Sequence, residues 1–480
     1  MRLPAPAAIL SAFSKNFRRE VISLNEMINT EELEDRKEMV EACIKDGDSK
    51  KLNEIFSDME AIDFAQIVEA LEDEEIPKVM QLLNDENRTA LMEESSDEMR
   101  IRLAKTLDNH ALLDMFADMQ KDDIVDMLGD FPTGRRKEVL NLMKADDRKI
   151  ITNLLQYPEE SAGGLMSTAY LALNENLTVS EGIHKIHEIG PKTEVIEIIY
   201  VTDRTHRLTG TVDLRDLLSS PGSKLIRDII HDNVIYVTPE VDQEEVAKLV
   251  SRYDLQAIPV VSAKKQLLGI ITVDDVIDVI IQEHDEDMLQ MAGVSSEESL
   301  KTSLGQSIRF RLPWLLVNLA TAFLASFTVK AFESTINKVV ALSAIMTIVS
   351  GMGGNAGTQT MSVLVRELSH NKITFAEAMK GFFKEILLGI INGAANGLVT
   401  GVIVWLIYGN FYLGVIVFIA MIGNMIVAGV FGFLVPVVLD KIHADPAVAS
   451  SIFVTTATDV LGFFIFLGLA KLTLPLLLGA

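Results

Sequence analysis

The stretch Phe453-Val-Thr-Thr-Ala-Thr-Asp-Val-Leu-Gly-Phe-Phe464 contains a carboxylate, Asp459, inside a long apolar segment near the end of this 480-residue chain. Hydroxyls and small residues flank Asp459, and no Lys or Arg stands near it in the segment. A charge in the middle of a membrane span costs about 2.5–3.5 kcal/mol on insertion scales. Such residues usually face a wet cavity, an ion path or a proton relay. The alternative is an Asp at a span end, but apolar sequence continues to Leu478, so we interpret Asp459 as functional.

Five apolar segments, each near or above the roughly 20 residues that a membrane-crossing helix needs, fill the C-terminal part of the chain. They cover residues 312–332, 337–364, 384–408, 411–439 and 446–478. We therefore expect a five-helix transmembrane domain over residues 309–480. Basic residues in its short loops place the N-terminal half in the cytoplasm and the C-terminus outside. Because five helices leave little room for a central path, we expect a homodimer with the path at its two-fold axis.

The second apolar segment contains the run Gly351-Met-Gly-Gly-Asn-Ala-Gly-Thr-Gln-Thr-Met361. Glycines inside a span allow close backbone approach or local unwinding that exposes carbonyl groups to an ion. Asn355, Thr358 and Gln359 add neutral oxygen ligands, which favours a pore lining. A small-residue face for helix packing is the alternative.

The N-terminal half is strongly acidic, and this limits the classes of partner that it can bind. Residues 1–300 carry 32 Lys and Arg against 61 Asp and Glu, a net charge near −29. Such a surface repels nucleic acid and attracts cations or basic partners. The single cysteine, Cys43, excludes an intrachain disulfide. Residues 1–35 have a short apolar run broken by prolines, which we interpret as a leader that is not a signal peptide.

Residues 36–160 have apolar positions at helical spacing, for example Ile67, Leu71, Ile76, Val79 and Leu83. Short helices broken by Asp, Asn and Pro predict an acidic, all-α superhelical domain of stacked helical pairs.

A 59-residue repeat follows. The first copy consists of Ile198-Ile-Tyr-Val-Thr-Asp203 and Arg207-Leu-Thr-Gly-Thr-Val-Asp-Leu-Arg-Asp-Leu-Leu218. The second copy consists of Ala257-Ile-Pro-Val-Val-Ser262 and Gln266-Leu-Leu-Gly-Ile-Ile-Thr-Val-Asp-Asp-Val-Ile277. Each predicts helix, strand, turn, strand and an Asp-capped helix. The repeat resembles a tandem pair of cystathionine-β-synthase-type (CBS) α/β domains, with boundaries at 161–220 and 221–282. The resemblance implies a nucleotide contact at Arg215 and Asp216, with ATP as a candidate modulator; helix capping by Asp216 is the alternative.

Carboxylates recur on a predicted connecting helix, residues 276–308, and on both preceding domains. A run of acids is usually a solvated face, but on a connecting helix it favours metal sensing, because oxygen-only ligands suit Mg²⁺. The candidate regulatory ligands are Asp122, Asp123, Asp126, Asp242, Glu244, Asp254, Asp275, Asp278, Glu283, Glu286 and Asp287.

The order of these parts resembles that of the MgtE family of bacterial magnesium channels and transporters. Four motifs carry the resemblance: Ser161-Ala-Gly-Gly-Leu-Met166, Gly-Asn-Ala-Gly-Thr-Gln359, Asp445-Pro-Ala-Val-Ala449 and Thr455-Thr-Ala-Thr-Asp-Val460. The resemblance implies a multidomain, homodimeric protein of the bacterial cell membrane, with a connecting (plug) helix and a Mg²⁺ path formed by the second and fifth spans. The implied pore residues are Asp459, Gly351, Gly354, Asn355, Thr358, Asp445 near the cytoplasmic mouth, and Ser451. Ser451 and Thr358 stand where some members carry Asn.

Other functions remain open at this stage. An intramembrane aspartyl protease would need a second Asp within the spans, and an anion channel would need Lys or Arg deep in the path; the sequence has neither. A broader carrier of Co²⁺, Mn²⁺ or Ni²⁺ and a membrane-bound metal sensor without transport are the remaining alternatives.

Overall fold

This structure, a computed structural model, describes residues 30–479 except 118, 130, 190–192, 194, 297, 301, 371–373, 443–444 and 447–449. Most of the expected leader and part of the Asp445–Ala449 motif therefore lie outside the described residues. The chain divides into two compact units, and the boundary between them in the sequence falls after Val276. They are the N-terminal unit and the C-terminal unit below.

The N-terminal unit begins with short helices whose buried positions follow the predicted spacing. Ile67, Leu71, Ile76, Val79 and Leu83 are all at most 5% exposed. Polar N-caps start several of the helices, since a side-chain oxygen there accepts a free backbone N–H. The helices are α1 (Thr30–Asp46), α2 (Ser49–Ser57), α3 (Ala61–Glu69), α4 (Ile76–Leu82), α5 (Asp85–Glu93), α6 (Asp97–Thr106), α7 (Asn109–Met115), α8 (Lys121–Gly129), α9 (Thr133–Leu142), α10 (Ala145–Leu154) and α11 (Ala162–Leu165).

The two predicted repeats follow, and each has the expected helix–strand–strand–helix order. The first contains α12 (Val179–Ile189), β2 (Val195–Thr202), β3 (Leu208–Asp213) and α13 (Leu214–Ser219), with β1 (Tyr170–Asn174) parallel to β2. The second contains α14 (Gln243–Tyr253), β4 (Ala257–Val261), β5 (Leu267–Thr272) and α15 (Val273–Met291). Strands β2 and β3 are antiparallel, as are β4 and β5. The hairpin turns place His206 and Lys265, which are 59 positions apart, at φ of 60° and 61°.

The repeats join through their hairpins and share a core. The Leu208 amide donates to the Lys265 carbonyl at 2.9 Å, and the Leu267 amide donates to the His206 carbonyl at 3.1 Å. Tyr200 of the first repeat packs with Ile270 of the second in one buried cluster. The pairing explains why the two copies form one α/β module.

The C-terminal unit is helical after α15. Its helices are α16 (Leu304–Ala331), α17 (Glu333–Lys338), α18 (Ala341–His370), α19 (Phe375–Tyr408), α20 (Phe411–Lys441), α21 (Ser450–Leu472) and α22 (Leu474–Leu478). The predicted segment 337–364 starts too early, because α17 ends at Lys338 and α18 begins at Ala341. The segment 384–408 starts too late, because a capping box of Thr374 and Glu377 begins α19 at Phe375. The segment 446–478 is two helices, with Pro475 in the first turn of α22.

Among the described residues, four helices are long and apolar enough to cross a membrane: α16, α19, α20 and α21. Helix α18 has 30 residues but is not among the four, and its glycine-rich and polar run lowers its hydropathy. It nevertheless packs into the same apolar cluster, where Leu342 and Val349 are buried with Met421 and Phe466.

Helices α19 and α20 pack along a glycine stripe. Gly389, Gly393, Gly397 and Gly401 recur at every fourth position of α19. A Cβ on each would lie 2.6–2.9 Å from backbone atoms of α20. Small residues at this spacing let membrane helices approach closely, where van der Waals contact replaces the hydrophobic effect.

Candidate functional site

Asp459 is half-buried on α21, and its carboxylate accepts a hydrogen bond from the hydroxyl of Ser350 on α18. Among the described residues, Asp459 forms no ion pair. The absence of a basic partner agrees with the sequence, but the contact with Ser350 was not predicted. Ser350 directly precedes the glycine run, and that adjacency is the one signal that could have singled it out.

Only part of the glycine run is packed against other helices of this chain. A Cβ on Gly353 would lie 2.1 Å from Nδ2 of Asn424, and one on Gly357 would lie 2.4 Å from a methyl of Val454. These two glycines are therefore needed for helix packing. Gly351 and Gly354 have no atom within 4 Å of the same position, so they are not needed for packing within this chain.

Asn424 connects the packed side of α18 to α20. Its Nδ2 donates to the Val349 carbonyl at 2.7 Å, and its side chain is fully buried. A Cβ on Gly462 of α21 would also lie 2.7 Å from its Oδ1. Asn424 thus bonds α20 to α18 and packs closely against Gly462 of α21.

The opposite side of α18 is polar and uncovered by this chain. Gly351, Asn355 and Thr358 are exposed and stand four and three positions apart, which puts them on one helix face. The Thr358 hydroxyl donates to the Gly354 carbonyl of its own helix at 3.0 Å. Ser451 is half-buried in the first turn of α21, and Asp445 is exposed in the preceding loop.

A second carboxylate lies in an apolar helix of the C-terminal unit. Glu385 lies within the candidate span of α19, and its Oε2 accepts a hydrogen bond from Thr360 of α18 at 2.8 Å. A cavity of about 660 Å³ lies beside them, lined also by Glu367, Glu377 and Lys384. The charged side chains in this lining distinguish the region from the glycine-packed part of α19.

In the N-terminal unit, Asp122, Asp123 and Asp275 lie near one another. Asp122 and Asp123 are in the first turn of α8, and the Ser167 hydroxyl donates to Asp122 at 3.4 Å. Burial, followed by the negative charge of Asp123, raises the pKa of Asp122 to about 7, and Asp275 adds to this effect. The raised pKa means that the folded protein disfavours the ionised form of Asp122, chiefly because the carboxyl group is buried.

The acids around α14 have ordinary structural roles and are not gathered at one point. Asp242 is the N-cap and accepts the Glu244 amide at 2.9 Å. Glu244 pairs with Lys248 at 3.0 Å. Asp254 is the left-handed C-cap, with φ of 52°. Asp242 and Asp254 are about 18 Å apart along the helix, so one ion cannot contact both.

Residues of the predicted connecting helix lie on α15. Asp278 is exposed, Glu283, Glu286 and Asp287 are half-buried, and Glu286 accepts a hydrogen bond from Gln290. Asp126 on α8 is exposed.

The proposed nucleotide residues lie on α13. Arg215 is exposed, and the Asp216 carboxylate lies 3.0 Å from Nε2 of His231. The expected capping by Asp216 is wrong, because Asp213 occupies the N-cap position and makes no side-chain cap bond there.

Comparison with known proteins gives matches along most of the chain. The family model MgtE, described as a divalent cation transporter, matches residues 346–469. The MgtE intracellular N domain matches residues 59–160, and the CBS domain matches residues 226–282. A magnesium transporter MgtE of Bacillus subtilis is 34% identical over 66% of this chain and 70% of its own length. That of Enterococcus faecalis is 35% identical over 66% and 70%.

Among solved structures, the cytosolic domain of the Mg²⁺ channel MgtE in complex with ATP is 31% identical, covers 51% of this chain and 99% of its own, and has a TM-score of 0.48.

Proposed function

Because this chain belongs to the MgtE family of divalent cation transporters, we propose that it is a Mg²⁺-selective membrane channel or transporter that takes up magnesium and is gated by cytoplasmic Mg²⁺. The names of its relatives support the ion. The observation that carries the proposal is Asp459, a carboxylate in an apolar helix whose hydrogen-bond partner is a hydroxyl. A transporter of this kind needs no catalytic residue, and we assign none.

Mg²⁺ sheds its water reluctantly and prefers an octahedron of oxygen ligands. A single carboxylate per subunit, supported by neutral oxygens, suits an ion that keeps its water shell. Two copies of Asp459 facing each other across a two-fold axis supply a charge of −2, which balances one ion. The Ser350 hydroxyl fixes the carboxylate without neutralising it, as a binding site for a cation requires.

The uncovered face of α18 supports a path at a dimer axis. Polar groups that face lipid are costly, so such a face usually contacts water or another protein surface. Gly351, Gly354, Asn355 and Thr358 would line the path, with Ser451 and Asp445 toward its cytoplasmic end. In this arrangement α18 is a fifth span, shielded from lipid by a second copy of the chain. The N-terminal domains are then cytoplasmic and the C-terminus extracytoplasmic.

Regulation rests on the carboxylates of the soluble domains. Burial and, to a lesser degree, repulsion from Asp123 and Asp275 raise the pKa of Asp122, and a bound divalent cation would offset both effects. At high cytoplasmic Mg²⁺ the occupied sites favour a compact, closed state; at low Mg²⁺ the repulsion favours an open one. The other proposed ligands are Asp126, Asp242, Glu244, Asp254, Asp278, Glu283, Glu286 and Asp287, with α15 as the connecting (plug) helix. ATP contacting Arg215 and Asp216 would modulate the same equilibrium.

The central test is Mg²⁺ flux into vesicles that contain the full-length protein. We expect Asp459→Asn to lower the flux at least about tenfold, since it removes the only charge proposed for the part of the path within the spans. Asp440→Asn is the matched control, because Asp440 is an exposed carboxylate near the end of α20. Equal flux in wild type and Asp459→Asn would refute the assignment of the pore.

Two alternatives are separated by the same vesicles. Uptake of Co²⁺, Mn²⁺ or Ni²⁺ at rates similar to Mg²⁺ would indicate a broader divalent carrier. Absence of any flux, with Mg²⁺ binding retained, would indicate a sensor without transport. For the gate, neutralising Asp275, Asp278 and Glu286 together should leave uptake poorly inhibited by cytoplasmic Mg²⁺ in patch recordings; unchanged inhibition would contradict the gating proposal.

A further inference from the structure

The two CBS repeats place chemically different groups at equivalent positions. With the offset of 59 residues, Asp213 corresponds to Thr272 and Asp216 corresponds to Asp275. In the second repeat, the Thr272 hydroxyl donates to the Asp275 carboxylate at 2.6 Å, which completes a helix cap. In the first repeat, Asp213 has no hydrogen to donate when ionised and makes no cap bond. Two carboxylates therefore stand where a donor and an acceptor would pair.

A histidine completes this group from a third segment. The His231 amide donates to the Thr211 carbonyl at 2.8 Å, and the Thr211 amide donates to the His231 carbonyl at 3.0 Å. Ser167 makes the same two bonds with Ile270, which is 59 positions after Thr211. His231 and Ser167 are thus equivalent in the two repeats. Gly210 permits the approach of His231, since a Cβ there would lie 2.7 Å from the His231 carbonyl oxygen.

The three side chains converge. One ligand atom each from Asp213, Asp216 and His231 lies within 4.8 Å of the other two. An Asp216–His231 ion pair, at 3.0 Å, explains that contact alone and leaves Asp213 unexplained. Two carboxylates held this close repel each other unless a cation is bound between them.

We propose that Asp213, Asp216 and His231 bind a borderline divalent cation of the Zn²⁺, Mn²⁺, Co²⁺ or Ni²⁺ type. An imidazole nitrogen suits these ions, whereas Mg²⁺ prefers a shell of oxygen atoms only. Three protein ligands leave a position for water, as in many three-ligand zinc sites. In a tetrahedral site, ligand atoms about 2.0–2.1 Å from the metal are about 3.3 Å apart. Small rotations of these carboxylates would therefore bring the ligand atoms from their present separations to the separation in a tetrahedral site.

The site shares no residue with the proposed magnesium ligands, but it shares Asp216 with the proposed nucleotide contact, so the metal and ATP would use the same carboxylate. In the second repeat, the corresponding Ser167 and Asp275 lie beside Asp122 and offer oxygen ligands only. Equivalent positions of the two repeats thus offer different ligands: oxygen atoms only in the second repeat, and oxygen atoms with an imidazole nitrogen in the first. The two repeats would bind two classes of metal ion at equivalent positions.

The test is Co²⁺ binding to the full-length protein in detergent, with millimolar Mg²⁺ present to occupy oxygen-only sites. We expect one Co²⁺ per chain with the visible absorption bands of a nitrogen- and oxygen-ligated site, and displacement by Zn²⁺. His231→Gln and Asp213→Asn should each weaken binding at least about tenfold. His184→Gln is the matched control, because His184 is an exposed histidine on α12 of the same repeat.

Asp213→Asn decides the outcome if His231→Gln fails to fold, because the Asp213 side chain makes no cap bond. Circular dichroism without metal checks the fold of each variant. Wild-type affinity in both variants, or complete displacement of Co²⁺ by millimolar Mg²⁺, would overturn the proposal. Failure of Mg²⁺ flux in vesicles would not affect it.

Discussion

Replacing Asp122 by Asn should stabilise the region around α8 in Mg²⁺-free buffer at neutral pH, and should remove much of the stabilisation that Mg²⁺ gives. The pKa of Asp122 is raised from an ordinary 3.8 to about 7. A raised carboxyl pKa means that the folded state binds the proton more tightly than the unfolded state. The contribution to stability is therefore complete below about pH 4 and is lost as the pH rises through about 7.

The magnitude follows from the same difference. A pKa change from 3.8 to about 7 corresponds to about 4 kcal/mol if none of it is screened. Water reaches the half-buried carboxylate, and we therefore expect about 2 kcal/mol at pH 8. The Asn side chain keeps the shape and an acceptor for Ser167 but carries no charge. This energy corresponds to about a 30-fold slowing of local opening.

Hydrogen exchange followed by mass spectrometry on the full-length protein measures this opening in peptides that cover α8 and Ser167. After correction for intrinsic rates, wild-type protection should fall between about pH 4 and pH 8 without Mg²⁺ and should recover when Mg²⁺ is added. Asp122→Asn should show a weaker dependence on both. Asp114→Asn, at an exposed carboxylate of α7, is the control. Faster exchange in Asp122→Asn than in wild type at pH 8, or an equal response to Mg²⁺, would refute the reasoning.

Further predictions concern packing, the pore and the second repeat. Gly353→Ala should lower the stability of the C-terminal unit by about 1–3 kcal/mol, because the new Cβ would lie 2.1 Å from a buried amide; Gly351→Ala should not, and equal melting temperatures in detergent would contradict this. Ser350→Ala should lower Mg²⁺ flux about tenfold by freeing Asp459, the proposed pore carboxylate, and wild-type flux would show that the hydroxyl is dispensable. Thr272→Val should destabilise the start of α15 by about 1 kcal/mol through loss of its 2.6 Å bond, measured as local exchange; unchanged exchange would argue against a cap.

The repeat, the helical N-terminal region and the apolar helices were predictable, because each depends on local spacing. Buried Ile76, Val79 and Met80 follow one face of α4, and the offset of 59 residues predicts the matching turns at His206 and Lys265. Segment ends were less accurate. The capping box at Thr374 extends α19 beyond the apolar residues on which the prediction depended.

The sequence of the run at 351–361 did not predict which of its glycines are needed for helix packing. Which of them packs depends on where Asn424 and Val454 lie, and these residues are on other helices. For the same reason the sequence grouped Asp242 and Asp254 with Asp122 as regulatory acids. All are acidic, but the first two stand at opposite ends of α14.

By itself, the sequence determined that this chain has apolar helices able to cross a membrane, an acidic N-terminal half, and a carboxylate without a basic neighbour, because composition and periodicity are local properties. Only the tertiary structure decided that Ser350 holds Asp459 across 109 positions of sequence, that Ser167 reaches Asp122 across 45, and that His231 joins Asp213 and Asp216. These contacts depend on how separate elements pack, and no local pattern encodes the distance between two side chains on different elements.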